Sequence, residues 1–305
     1  MKPEWSKQRG TILVFPREDS DWNCCYDEVI NSFINFLNAI RREQKVFLIT
    51  HNIGYSLYKI GDDQNIEFFE IETNDTWGRD SLGIDNGTQI VDFQFDGWGG
   101  KFDASLDNQI TQNLKAKEFY KKDIVTTKLT IEGGAIETDG ETLLLTDTAV
   151  ADRNPDVSKD ELEERLLKLL NLKRAVWLKD SYLDGDDTDG HIDMLVRFAN
   201  KKQILYYQKD KLENELKEAF PDRELIAVPT PDKREFNSDV LPQTYLNFIF
   251  VNGAILLPIY GVKQDSEAIE LFQRLFSDRK VIPIDSTIFI RQGGSLHCLS
   301  MQVYE

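Results

Sequence analysis

Histidine and cysteine are scarce in this chain, three of each among 305 residues. Histidines 51, 191 and 297 form no His-Glu-x-x-His pattern and stand near no paired-cysteine motif, so the common zinc frameworks are excluded and no metal is expected. An odd cysteine count with two members adjacent, Cys24 and Cys25, makes no disulfide framework and suits a reducing cytoplasm. That leaves Cys298 as the thiol to explain. Positive charge is also in deficit, with 36 Lys+Arg against 53 Asp+Glu and a net charge of −17. Nucleic-acid phosphate and anionic membrane surfaces are poor partners for such a chain, whereas a cationic small molecule suits it. No long hydrophobic run exists. The most apolar stretch, Tyr245 to Gly261, is broken by Asn247, Asn252, Gly253 and Pro258 and reads as two strands. The first residues, Met-Lys-Pro-Glu-Trp, lack the apolar core of a signal peptide.

What is present is enough for a substantial core, since 41% of residues are hydrophobic and 11% aromatic. No low-complexity linker or composition shift divides the chain, so residues 1–305 read as one catalytic unit. Strand-like runs recur from Thr11–Pro16 and Lys45–Thr50 through His191–Phe198 to Val281–Ile284 and Ser286–Ile290. Helical spacing appears at Tyr26–Arg42, where Val29, Phe33, Phe36, Leu37 and Ile40 form one stripe. Ser158-x-x-Glu161 is a capping box opening a helix through Leu170, and two further helices are expected at about 211–220 and 266–278. Asp139-Gly140 marks a hairpin turn. Hairpin pairs alternating with helical crossings give an α/β chain of repeated ββαβ modules.

The densest polar segment runs from Gly185 to Asp193, Gly-Asp-Asp-Thr-Asp-Gly-His-Ile-Asp. On a strand, His191 and Asp193 would share a face, and an imidazole beside a carboxylate is a base, a proton shuttle or half of a metal site. A hydrogen-bonded loop leading into a core strand is the plainer reading. A calcium loop fails on spacing, with no Gly at the sixth position and no Glu at the twelfth. Gly293-Gly294-Ser295-Leu296-His297-Cys298 is the second candidate. Adjacent strand residues face opposite sides, which denies Cys298 its neighbour His297 and makes His191 the better partner; His297 is expected to matter only for packing. Asn74 to Asp80 and Ile131-Glu132-Gly133-Gly134 add carboxylates beside glycines. Together these suggest a cysteine nucleophile working on a cationic electrophile.

The same segments, with Pro3-Glu4-Trp5, Ser20-Asp21-Trp22, Asp92 to Lys101 and Tyr245-Leu246-Asn247-Phe248, are collinear from residue 3 to residue 298. The chain thereby resembles the agmatine deiminase family of the guanidine-modifying (pentein) superfamily, which includes arginine deiminases and bacterial-type peptidylarginine deiminases. The resemblance implies a five-bladed α/β propeller of ββαβ modules around a central active-site channel. It implies cofactor-free hydrolysis of agmatine to N-carbamoylputrescine and ammonia through an S-amidino-cysteine intermediate, feeding putrescine (polyamine) biosynthesis. By position, Cys298 is the nucleophile and His191 the proton shuttle. Asp80 and Asp193 hold the guanidinium, with Glu132 in support. Trp77, Trp98, Trp22 and Glu4 are expected around the substrate, and Asn247 close to the reacting carbon.

Three departures stand out: Ala135 after the two glycines, Met194 after Asp193, and Asp147-Thr148-Ala149-Val150 after Thr146. None removes a catalytic side chain. Amidino transfer to an amine, a non-catalytic relative that kept the fold, and a papain-like protease are the competing readings, and the last lacks its motif around the cysteine. The expected partner is a small cationic guanidine, with a homodimer left open. The one arginine of the matched segments, Arg79, lies between Asp75 and Asp80, which favours agmatine with its distal ammonium over arginine with its carboxylate.

Overall fold

Apolar spacing decides the helices, and a computed structural model covering residues 1–305 shows what each covers. Tyr26–Arg41 is helical, and its stripe of Val29, Phe33, Phe36, Leu37 and Ile40 is fully buried. Burial of that kind contributes about 1.5–3 kcal/mol for each large apolar side chain. The helix Lys159–Leu170 starts where the capping box places it, with the Ser158 hydroxyl accepting the Glu161 N–H at 3.3 Å. Later helices occupy Asp210–Ala219 and Gln264–Leu275. Two short helices, Ile53–Ile60 and Ile110–Ala116, give too few turns for an apolar stripe to stand out in the sequence.

The strands form five small sheets, the last four of one design. In the second, Ile84–Asp85 runs antiparallel to Ile90–Gln94, which runs parallel to Ile124–Thr130. The third pairs Ile136–Thr138 antiparallel with Thr142–Thr146 across the Asp139-Gly140 turn, then adds Arg174–Leu178 in parallel. Gly140 has φ +91°, the left-handed conformation that such a turn demands. The fourth joins Val196–Phe198, Gln203–Tyr207 and Glu224–Val228, and the fifth Ile249–Val251, Ala254–Ile259 and Lys280–Asp285. In each, a hairpin is followed by a helix and a parallel strand, the ββαβ order expected from the sequence.

The first sheet draws on both ends of the chain. Gln8–Val14 pairs antiparallel with Ser300–Tyr304 and parallel with Lys45–Thr50, which in turn pairs with Ile66–Glu70. The N- and C-terminal segments are thus neighbours, and Cys298 stands two residues before the closing strand. A separate hairpin, Glu235–Phe236 with Asp239–Val240, lies outside the five sheets. No helix is long and apolar enough to cross a membrane.

Three expected strands are shorter or absent, one of them Tyr245–Val251, which is a strand only over Ile249–Val251. His191–Phe198 is a strand only from Val196; residues Ile192–Met194 form a 3₁₀ turn. Ser286–Ile290 is likewise replaced by a 3₁₀ turn over Phe289–Gln292. The Ile192–Met194 bend carries His191 and Asp193 to buried polar partners, and that tertiary demand overrides local strand preference. The sulfurs of the adjacent Cys24 and Cys25 lie side by side near the surface, and Cys298 is free and buried.

Candidate active site

Three bends converge on one buried point. Gly78–Ser81 is a single helical turn carrying Asp80, Gly133–Ala135 is a 3₁₀ turn after Glu132, and the Ile192–Met194 turn carries Asp193. Gly134 lies between them. A Cβ there would come within 2.6 Å of His191 Nδ1, 3.0 Å of Asp80 Oδ1 and 3.1 Å of Asp193 Oδ2. The glycine is needed so that three polar groups can meet, and its own N–H donates to Asp80 Oδ1 at 2.8 Å.

His191 and Asp193 do meet, although not by strand alternation. His191 is fully buried, with Nε2 2.8 Å from Glu132 Oε2 and Nδ1 3.8 Å from Asp80 Oδ1. Burial works against the imidazolium, but Asp80, Glu132 and Asp193 outweigh it and raise the His191 pKa from its ordinary 6.5 to about 10. Glu132 also accepts from Arg153 Nε at 3.1 Å, and Arg153 pairs with Asp189 at 2.9 Å in the 185–190 loop. Asp80 is pushed up by burial and by Glu132 and Asp193, against the pull of His191. Its Oδ2 accepts the Trp98 indole N–H at 3.1 Å. Trp98 sits at φ +58° inside Gly97-Trp98-Gly99-Gly100, where all four residues are left-handed; three glycines make the turn feasible and the one side chain is delivered to Asp80.

Cys298 lies opposite. Its Sγ is 3.2 Å from Asn247 Nδ2 and 3.8 Å from Asp193 Oδ2. Asn247 Nδ2 also reaches Asp193 Oδ2 at 3.2 Å and the Met194 sulfur at 3.1 Å, so the Met194 departure adds a soft contact to the nucleophile's support. Burial first, then Asp193 and Asp80, push the Cys298 thiol well above its ordinary range. The free site therefore holds a neutral thiol facing an imidazolium. Two atoms have no protein partner despite complete burial, Asp193 Oδ1 and His191 Nδ1. The buried acceptor left open beside a thiol is suited to a planar cation bearing N–H groups.

Above this point opens a cavity of about 620 Å³, lined by Asp80, Cys298, Trp77, Trp98, Gly293 and Gly294. Gly294 is required because a Cβ would lie 2.4 Å from the Trp77 ring. Further out the wall is acidic, with Asp21, Asp75, Asp184, Asp186, Asp187 and Asp239 against Lys233 and Arg291. Both cations are paired, Lys233 with Asp184 and Arg291 with Glu28. Burial lifts Asp75 to about 7, with Asp107 and Asp21 adding to the effect.

Other expected residues lie elsewhere. Trp22 is buried behind Trp77, their rings 5.7 Å apart, and does not line the cavity. Glu4 is not at the substrate wall either. It is buried among Arg197, Arg79 and His297, where its carboxylate supplies a counter-charge to the two guanidinium groups. Arg79 points inward, donating to Gln302 Oε1 at 2.6 Å and the His297 carbonyl at 3.2 Å. His297 is no mere packing residue: its Nδ1 is 2.6 Å from Asp193 Oδ2 and its Nε2 2.5 Å from Glu4 Oε1. Sequence reasoning missed this because residues 297 and 298 precede the strand that begins at Ser300, so strand alternation does not apply to them. It missed Arg153 and Arg197 as well, since nothing local distinguishes them from other arginines.

The fold has known counterparts. Residues 1–303 match the family model described as Porphyromonas-type peptidyl-arginine deiminase. A cysteine-to-serine variant of the C. jejuni agmatine deiminase, solved with substrate bound, superposes with a TM-score of 0.94 at 33% identity, over 99% of this chain and 95% of that one. The agmatine deiminase of Enterococcus faecalis shares the fold at a TM-score of 0.88 and 22% identity, over 100% of this chain and 95% of that one. A dimethylarginine dimethylaminohydrolase shares it more distantly, at a TM-score of 0.63 and 15% identity over 97% and 99% of the two chains. With matching residues spread across the full length and all five sheets, the chain belongs to the Porphyromonas-type peptidyl-arginine deiminase family, within the pentein fold.

Proposed function

We propose that this protein is a single catalytic domain over residues 1–305 that hydrolyses agmatine to N-carbamoylputrescine and ammonia, supplying putrescine (polyamine) biosynthesis. The observation carrying this reading is the pair of buried carboxylates, Asp80 and Asp193, beside the buried Cys298, with Asp80 and Cys298 lining an acidic cavity. The named activity of the C. jejuni relative supports it. The five small sheets, with the first closed by both chain ends, support a five-bladed propeller with the site in its central channel.

The guanidinium sits between Asp80 and Asp193, each accepting N–H bonds, Asp193 through its open Oδ1. Its charge offsets the two carboxylates that hold the thiol up, so substrate binding itself favours the thiolate. His191 is already protonated, so the thiol proton leaves to solvent as the cation binds. Sulfur attacks the central carbon to form a tetrahedral adduct. His191 Nδ1–H, the nitrogen not committed to Glu132, protonates the departing nitrogen and ammonia leaves. The neutral imidazole then takes a proton from water while the resulting hydroxide attacks the S-amidino carbon. The carbon–sulfur bond breaks as the O–H proton of this second adduct passes to the departing sulfur, releasing the ureido product and restoring the neutral thiol beside the imidazolium.

At the distal end, Asp21 and Asp75 offer negative charge and Trp77 an aromatic face to an alkyl-ammonium chain. Arginine would bring a carboxylate against these groups, at about 1–3 kcal/mol for an unpaired polar group. Ammonia release measured with agmatine, free arginine and a peptide ending in arginine, with chelator present, tests the reading. Agmatine should give the highest kcat/KM, and a preference for either arginine substrate would overturn it. Cys298→Ala should lose several orders of magnitude in kcat while still binding agmatine by calorimetry, since covalent chemistry disappears and both carboxylates remain. Activity within about tenfold of wild type would remove Cys298 as nucleophile.

A further inference from the structure

The mechanism leaves one buried histidine without a task. His297 is 1% exposed and both of its ring nitrogens face carboxylate oxygens, Nδ1 toward Asp193 and Nε2 toward Glu4. With neither nitrogen open to the cavity it cannot shuttle a substrate proton. The neighbouring trio Glu4, Glu137 and His297 resembles a metal-ligand set. The Arg197 guanidinium already occupies that position, donating to Glu4 at 2.5 Å and to Glu137 at 2.8 Å, which leaves a cation no charge to neutralise.

What the ring controls is the orientation of Asp193. Oδ2 is taken by His297 and Asn247, while Oδ1 is buried and open. In that orientation Oδ2 lies 3.8 Å from the Cys298 sulfur and Oδ1 keeps its full capacity to accept. Arg197 extends the support, donating to the carbonyls of Leu246 at 3.0 Å and Phe248 at 2.8 Å, on either side of Asn247.

We propose, resting on the deimination reading, that His297 is a positioning residue which fixes Asp193 with Oδ1 turned to the guanidinium, and that Glu4 holds the ring in register for it. Asparagine places an N–H donor near the position of Nδ1, and glutamine near that of Nε2. His297→Asn should keep the bond to Asp193 and lose the one to Glu4; His297→Gln should do the reverse. The expected result is a loss in kcat/KM for agmatine of about tenfold in His297→Asn and about a hundredfold or more in His297→Gln, at similar thermal stability. Equal losses in two folded variants, or a better His297→Gln, would overturn the proposal.

A second readout follows the carboxylate rather than turnover. The rate of Cys298 alkylation by cationic 2-chloroacetamidine, divided by that for neutral 2-chloroacetamide, should exceed one in wild type and fall toward one in His297→Gln. An unchanged ratio would mean Asp193 does not depend on the ring. Should His297→Gln fail to fold, Glu4→Gln, which keeps the shape and drops the charge, should lower the same ratio at least threefold, and no change there would overturn the proposal. Wild-type enzyme without ammonia release or amidinium preference would instead overturn the deimination reading itself.

Discussion

Glu132 never faces the cavity, yet it decides which nitrogen of His191 is free and how firmly its proton is held. Burial alone would strip the proton from His191; Asp80 and Glu132 restore it and carry the pKa to about 10. A group raised in this way is protonated below about 10 and loses its proton only as pH rises through that value. Since the reading uses His191 as the acid that expels ammonia, kcat/KM, which reports the free enzyme, should hold through neutral pH and fall on the alkaline side near 10. In Glu132→Gln one of the raising charges is gone, so the falling limb should move down toward the ordinary imidazole range. A pH–rate profile with the same alkaline limb in both enzymes would show that Glu132 does not govern this proton.

The short turns, more than the sheets, make the site. Gly133–Ala135, Gly78–Ser81 and Ile192–Met194 are each three or four residues long and each delivers one carboxylate or clears room for one. Gly134→Ala is the sharpest test, because its backbone conformation is open to alanine while the added methyl would press within 2.6 Å of His191 Nδ1. Displacing His191 or Asp80 by about an ångström should cost about a hundredfold in kcat/KM, with thermal stability changed far less. Activity close to wild type would mean that the three groups do not need their present spacing. The Gly97-Trp98-Gly99-Gly100 turn makes the same point through backbone strain. Gly97 cannot carry a side chain, since a Cβ would lie 2.2 Å from the Phe102 carbonyl.

Across the whole molecule the charge is layered. The surface and cavity wall are acidic, while buried cations, Arg79 and Arg197, tie the N-terminal Glu4 to the third sheet's Glu137 and the C-terminal Gln302. Arg197 is fully buried between two carboxylates and over the Phe248 ring at 4.7 Å. Arg197→Ala would leave two buried carboxylates under-compensated and should destabilise the fold by about 3–5 kcal/mol, measured by urea unfolding. A change below about 1 kcal/mol would mean that water or rearrangement replaces the guanidinium. Glu4 keeps its carboxyl well below the usual range in this setting: burial opposes ionisation, and Arg197, His297 and Arg79 together outweigh it.

The sequence by itself determined the elements whose signals are local. Helical spacing marked Tyr26–Arg41, a side-chain cap marked Lys159–Leu170, and Asp139-Gly140 marked a hairpin, because each depends on residues within a turn or two. The hairpin–helix–strand rhythm was legible for the same reason, and the family's collinear motifs singled out Cys298, His191, Asp80, Asp193 and Glu132. Tertiary structure decided what lies between distant segments. It put Glu4 and Trp22 behind the site instead of at its wall, turned Arg79 inward, and bent His191–Asp193 out of the strand that their apolar neighbours suggest. It also gave His297 two carboxylate partners, 104 and 293 residues away in the chain. Spacing along a chain constrains only near neighbours. Which buried cation finds which buried carboxylate depends on the packing of all five sheets, where an unpaired charge costs more than any local preference can repay.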